Sequence, residues 1–179
     1  VWYMVRAYTY AKMKEVETRV KHVAEGACMM TDTTVEFETS GETHDNLVNF
    51  TLAALAHDCM LEVGVPTFST EEYIYAQKIA QKLQIPACTG AFDSTVMAVD
   101  HTIKKDNGST DLSDVSQIVP TINVMIACFC LGTPIHTWAV TAQACRSSAH
   151  RGMLFAAKTL ALMGARLASE PALLAEVLQ

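Results

Sequence analysis

What this sequence lacks narrows it first. It has no Cys-x-x-C pair and no tight cysteine framework; Cys28, Cys59, Cys88, Cys128, Cys130 and Cys145 are scattered, most of them in apolar stretches. That usage reads as buried free thiols in a reducing compartment rather than disulfides or a zinc knuckle. Positive charge is scarce. Lys and Arg total 13 against 19 Asp and Glu, a net charge of −6, and no basic stripe exists to neutralise phosphates, so no nucleic-acid partner is expected. There is no signal peptide, and the best uncharged apolar run is broken by Pro120 and Asn123, so no membrane partner is expected. The mild acidic balance fits a cytoplasmic protein. A Gly-x-Ser-x-Gly elbow is absent, which sets aside an α/β hydrolase built on a nucleophile. No internal repeat or low-complexity stretch is found.

What is present is a chain of 179 residues, half of them apolar, enough for one domain or one and a fraction. It starts at Val1, directly inside a strand-like run, so a longer parent chain is expected. Val1 to Tyr8 reads as a strand with Arg6 embedded in it. Thr9 can cap a helix whose Met13, Val16, Val20, Val23 and Ala27 recur at steps of three and four. Thr33 to Thr39 alternates as a half-exposed strand. Ser40 to Asn46 is a polar connector, giving domains over 1–40 and 41–179. Leu52, Leu55, Ala56, Cys59, Met60 and Val63 form the next helical stripe, stopped by Gly64. Ser69 with Glu72 forms a capping box for a third helix. Pro86 to Asn107 is the least readable stretch, with a short strand at Val96–Val99 and a polar turn at Lys104–Asn107.

The informative stretch runs from Gly108 to Trp138. Gly-Ser-Thr-Asp (108–111) leads into a short helical segment. Ile122 to Leu131 is apolar on both alternating sides, which predicts a central strand covered by layers on each face. His136 stands just past its end, where α/β proteins place ligand-binding groups. Val140 to Arg146 reads as an edge strand. Ser147 or Ser148 then caps a long helix with Met153, Leu154, Ala157, Leu160, Ala161 and Leu167 inward, and Ser169 and Pro171 restart a short one.

The Gly-Ser-Thr-Asp loop, the Leu-Gly-Thr-Pro-Ile-His-Thr-Trp segment (131–138) and Ser-Ser-Ala-His-Arg-Gly-Met-Leu-Phe-Ala-Ala-Lys (147–158) resemble the metal-dependent amidohydrolases of the aminoacylase, hippurate hydrolase and carboxypeptidase type. Within them the likeness is to the subgroup of aminobenzoyl-glutamate utilization. It covers most of the chain and is weakest between Pro86 and Asn107. The resemblance implies an α/β fold: the C-terminal part of a zinc-exopeptidase-like catalytic domain, a sheet with helices on both faces, preceded by the second half of a small α+β lid that carries the dimer contact. It also implies hydrolysis of the amide of an N-acyl or N-aroyl amino acid such as p-aminobenzoyl-glutamate. Two divalent ions, zinc or manganese, would serve each site. The partner would be a second copy, giving a homodimer, or a related subunit, giving a hetero-oligomer.

Carried onto this chain, the resemblance makes His136 a metal ligand; taken alone, a histidine at a strand end is an ordinary structural residue. For Ser109, Thr110 and Asp111 two readings stand: holding a substrate carboxylate, or capping the helix start. The loop here departs from the Glu-Asp-Phe or Gly-Thr-Ser-Asp of relatives. Arg6 is a substrate-carboxylate clamp or a surface arginine. Asn49 matches an asparagine after the lid, or simply caps the next helix. His44 and Asp114 read as ordinary surface residues. A two-metal hydrolase also needs a bridging carboxylate and a glutamate base, which the family carries in an upstream His-x-Asp segment and a Glu-Glu pair. This chain has no His-x-Asp, and Glu71-Glu72 lies in the capping box. The chain by itself is therefore expected to be inactive. The alternative is a non-catalytic binding or assembly module that kept the fold and lost the metal centre.

Overall fold

The computed structural model describes residues 1–103 and 108–179. The polar turn expected at Lys104–Asn107 lies outside the described residues. Among the described residues there are seven helices: α1 (Tyr10–Thr31), α2 (Phe50–Val63), α3 (Thr70–Leu83), α4 (Leu112–Ser116), α5 (Trp138–Ala144), α6 (Ser147–Ser169) and α7 (Pro171–Val177). None is long and apolar enough to cross a membrane.

No strand forms among the described residues, which overturns the α/β expectation of a sheet with helices on both faces. Val1–Tyr8, Thr33–Thr39, Val96–Val99 and Ile122–Leu131 run without helix or ladder. Alternation reports which side of an extended segment is apolar; a strand also needs a neighbouring backbone to pair with. The stretch Ile122–Leu131 is covered unevenly, with Asn123, Met125 and Leu131 exposed. Ile122 and Val124 pack against one core and Cys130 is buried in another, while Met125 is 81% exposed. Val140–Arg146, expected as an edge strand, is mostly helix, because its alanines and Gln143 suit α5.

The chain divides into two compact units, Val1–Asn49 with His101–Thr121, and Phe50–Asp100 with Ile122–Gln179. The first is held by polar contacts. Thr9 caps α1 by accepting from the Lys12 N–H, as the sequence suggests, yet α1 buries none of its residues. Its N-terminal turn is tied to the connector: the Tyr10 N–H donates to Asp45 at 2.8 Å and the Tyr10 hydroxyl to Glu42 at 2.6 Å. Lys14 bridges Glu17 and Glu42 at 2.5 and 2.7 Å. Further on, the Leu47 N–H donates to Ser116 and the Gln117 amide to the Asp45 carbonyl.

The second unit has two apolar cores. In one, Leu52, Leu55, Ala56 and Cys59 of α2 meet Met163 of α6 and Val177 of α7; each fully buried leucine contributes roughly 2 kcal/mol. In the other, Ala76 and Ile79 of α3 meet Ala139 of α5 with Cys88, Phe92 and Cys130. Helix α6 does not bury the expected face. Met153, Leu154 and Leu160 are more than half exposed, and the inward stripe is Ser148, Ala149, Gly152, Phe155, Thr159 and Met163. Small residues win because the extended segment lies close against this helix: a Cβ on Gly152 would stand 2.7 Å from the Ala127 carbonyl oxygen.

The Ser69–Glu72 capping box forms as read. The Glu72 carboxylate accepts from the Ser69 N–H at 2.6 Å and from Arg151 Nε of α6 at 3.0 Å. Burial pushes this carboxyl up, but hydrogen bonds from Ser147, Ser69 and Arg151 outweigh it and hold it at about 2, against an ordinary 4.5. A depressed folded-state pKa means the stabilisation is complete above pH 4.5 and is lost as pH falls toward 2. Glu72→Gln is expected to cost roughly 2 kcal/mol at neutral pH and to flatten that acid limb, read by urea unfolding across the pH range.

Candidate functional site

The segment that carries His136 is built by a short sequence of turns. The extended stretch ends at Cys130. Gly132 then takes φ +77° and seats its backbone directly on the Ala87 peptide. The Thr133 N–H and hydroxyl both donate to the Cys130 carbonyl, at 3.1 and 2.7 Å. The Thr137 hydroxyl donates to the Pro134 carbonyl at 2.7 Å, and α5 begins at Trp138. His136 itself sits at φ 60°. Asp32 and Gln84 adopt the same left-handed conformation as C-caps of α1 and α3, whereas His136 adopts it in the turn before α5. The imidazole is exposed, with Ile135 and Trp138 beside it in the chain at 72% and 54% exposure.

One buried side chain braces the turns that precede His136. Gln143 of α5 is 1% exposed. Its carbonyl oxygen accepts from the Cys130 N–H at 3.0 Å. Its amide nitrogen donates to the Thr133 hydroxyl at 3.1 Å and to the Ala139 carbonyl at 3.0 Å. Both ends of the amide are thus spent on the two turns that lead to His136. Sequence reasoning missed Gln143, because a glutamine inside an assumed edge strand gives no sign of its partners.

The other sequence candidates belong to the first unit. Ser109, Thr110 and Asp111 are exposed and precede α4. Thr110 is engaged locally: its Oγ1 accepts from the Leu112 N–H at 3.3 Å, and its carbonyl accepts from the Ser113 N–H and hydroxyl. Asp111 heads α4 without a side-chain cap bond. Arg6 lays Nε and Nη2 against the Met4 sulfur at 3.2 and 3.1 Å. Asn49 directly precedes α2 and is half-buried. The structure therefore groups Ser109–Asp111, Arg6 and Asn49 in one unit and His136 in the other.

The first unit also holds a pair that the sequence reading treated as ordinary. The ring nitrogen Nδ1 of His44 lies 2.7 Å from Asp114 Oδ1, and the His44 N–H donates to the same oxygen at 3.0 Å. Tyr10 stacks on the imidazole at 4.0 Å. The His44 backbone N–H, followed by its ring, holds the Asp114 carboxyl below the usual range. A carboxylate on Nδ1 orients the ring and leaves Nε2 for proton exchange. The 70-residue separation left no local signal for this pair.

A zinc or manganese centre takes several protein donors, three or four in the usual zinc sites. Among the described residues no group of three or more His, Cys, Asp or Glu side chains comes together in a way that would hold a metal. The residues present do not by themselves fit a metal centre.

The class this chain resembles is that of hydrolase subunits. The p-aminobenzoyl-glutamate hydrolase of Escherichia coli (strain K12) has a subunit that is 33% identical to it over 202 aligned residues, covering all of this chain and 42% of the relative. The chain thus spans less than half the length of the curated relative it matches. No family model matches it, and no solved structure does.

Proposed function

We propose that this chain serves an amidohydrolase that cleaves the amide of N-acyl or N-aroyl amino acids, with p-aminobenzoyl-glutamate as the type substrate. One observation carries the reading: 33% identity to a p-aminobenzoyl-glutamate hydrolase subunit along the whole of this chain. The exposed His136 supports it, since it stands just after turns that Gln143 braces.

In this reading His136 offers one imidazole toward a divalent cation, zinc or manganese. The described residues assemble no further donors into a cluster, so no step of the reaction is routed through a metal. Within the first unit, Ser109, Thr110, Asp111, Arg6 and Asn49 are the proposed contacts to a substrate carboxylate. The relative is named as a subunit, so the working enzyme is an assembly with a second copy or a related chain. The metal, the substrate contacts and the assembly all belong to the proposal.

The test is release of p-aminobenzoate from p-aminobenzoyl-glutamate by the intact protein purified with whatever subunits accompany it, in manganese or zinc buffer. His136→Ala is expected to lower kcat/KM at least 100-fold, a loss of roughly 2.7 kcal/mol in transition-state stabilisation, with an unchanged unfolding midpoint. Equal turnover in the variant would remove His136 from the chemistry. No turnover by the wild type on any N-acyl amino acid would leave a non-catalytic assembly role.

A further inference from the structure

The second core brings two thiols into contact. Cys88 Sγ and Cys130 Sγ are 3.7 Å apart, with their residues 42 positions apart in the chain. They are 6% and 2% exposed. The contact is not an accident of two loose side chains, because the backbones on either side are pinned. The Cys88 N–H closes a turn on the Ile85 carbonyl at 2.9 Å, and the Leu131 N–H donates to the Ala91 carbonyl at 2.8 Å. Gly132 rests on the Ala87–Cys88 peptide, and the Cys130 N–H is held by Gln143. Two adjacent segments therefore run past one another with one cysteine each at the crossing.

The remaining cysteines are elsewhere. Cys128 faces Gly152 of α6, Cys59 lies in the other core, Cys145 is exposed, and Cys28 belongs to α1 in the first unit. A disulfide has sulfurs about 2.05 Å apart, so the thiols of Cys88 and Cys130 need to close by roughly 1.6 Å.

From this geometry we infer that Cys88 and Cys130 are an oxidative modification site, joined into a reversible disulfide by a small peroxide. The Cys88 thiolate, the more accessible of the two, attacks the peroxide O–O bond. Its sulfur gains one oxygen as a sulfenic acid, and the departing hydroxide takes up a proton to leave as water. The Cys130 thiol then gives up its proton and attacks the Cys88 sulfur, and the hydroxyl there leaves as a second water. Two thiols are oxidised and one peroxide is reduced to two waters. Burial pushes the Cys130 thiol up, in keeping with the role of resolving partner rather than first nucleophile. The product ties the Ala87–Ala91 segment to the root of the loop that bears His136. The site stands independently of the hydrolase reading.

The test uses the fully reduced protein exposed to hydrogen peroxide, quenched and alkylated in denaturant. The expected product alkylates at four of the six cysteines, is lighter by two hydrogens before alkylation, maps to Cys88–Cys130, and reverts with dithiothreitol. Cys88→Ala is expected to abolish the species and Cys128→Ser to leave it intact. If all six cysteines remain alkylatable after the peroxide is consumed, the inference fails. It also fails if the bond involves Cys128 or Cys145, or if the bridge forms only in denaturant.

Discussion

Gly132→Ala is expected to be the most damaging single-atom addition in the chain, costing on the order of 4 kcal/mol, enough to unfold a marginal domain. Two effects combine there. The residue sits at φ +77°, and a Cβ would lie 1.9 Å from the Ala87 carbonyl oxygen and 2.4 Å from the Cys88 nitrogen. Those are backbone atoms in a turn closed by its own hydrogen bond, so they cannot step aside as a flexible side chain would. Gly64 provides the control. It has the same φ of +77° with nothing within 4 Å of its added Cβ, so Gly64→Ala is expected to cost only the backbone term of about 1 kcal/mol. Urea unfolding of the two variants side by side separates crowding from conformation. Equal costs would mean that the His136 loop is not seated on the Ala87 turn.

The second large effect is expected at Gln143. Gln143→Met keeps most of the volume and removes the amide. It leaves the buried Cys130 N–H without its acceptor and deprives the Thr133 hydroxyl of its donor. An unpaired buried donor costs about 1–3 kcal/mol, so a loss of roughly 3 kcal/mol is expected once imperfect packing is added. Gln143→Glu is the informative partner, since it keeps the acceptor for Cys130 and loses both donor contacts. It is expected to protect the Cys130 amide from hydrogen exchange better than Gln143→Met does. Two variants with identical exchange at Cys130 would show that the glutamine oxygen is not the anchor.

The helices were legible where their ends carry chemistry. Thr9, the Ser69–Glu72 box and the Gly64 stop each satisfy or release backbone groups locally, so a few residues decide them. That no strand forms among the described residues is not legible in the sequence, because Ile122–Leu131 and Val1–Tyr8 meet every local requirement of a strand except a neighbour. The buried face of α6 was misread for a related reason: hydrophobic size nominated Leu154 and Leu160, but close approach to the Ala127 backbone selects Gly152. His136 stands out in the sequence only through the resemblance of its flanking motif. Gln143, His44 and Asp114 could not be found, since what defines each is a partner 10 to 70 residues away.

The uneven cover of Ile122–Leu131 has an expected consequence in concentrated solution. From Thr121 to Gly132 there is no Asp, Glu, Lys, Arg or His, and the amides from Ile122 to Phe129 make no backbone hydrogen bond among the described residues. Bare amide edges on an uncharged, β-prone ribbon are a template for cross-chain stacking, and natural sequences blunt such edges with a gatekeeping charge. Asn123, on the outward side between the inward-facing Ile122 and Val124, is where a lysine would act as that gatekeeper and delay precipitation without touching the interior.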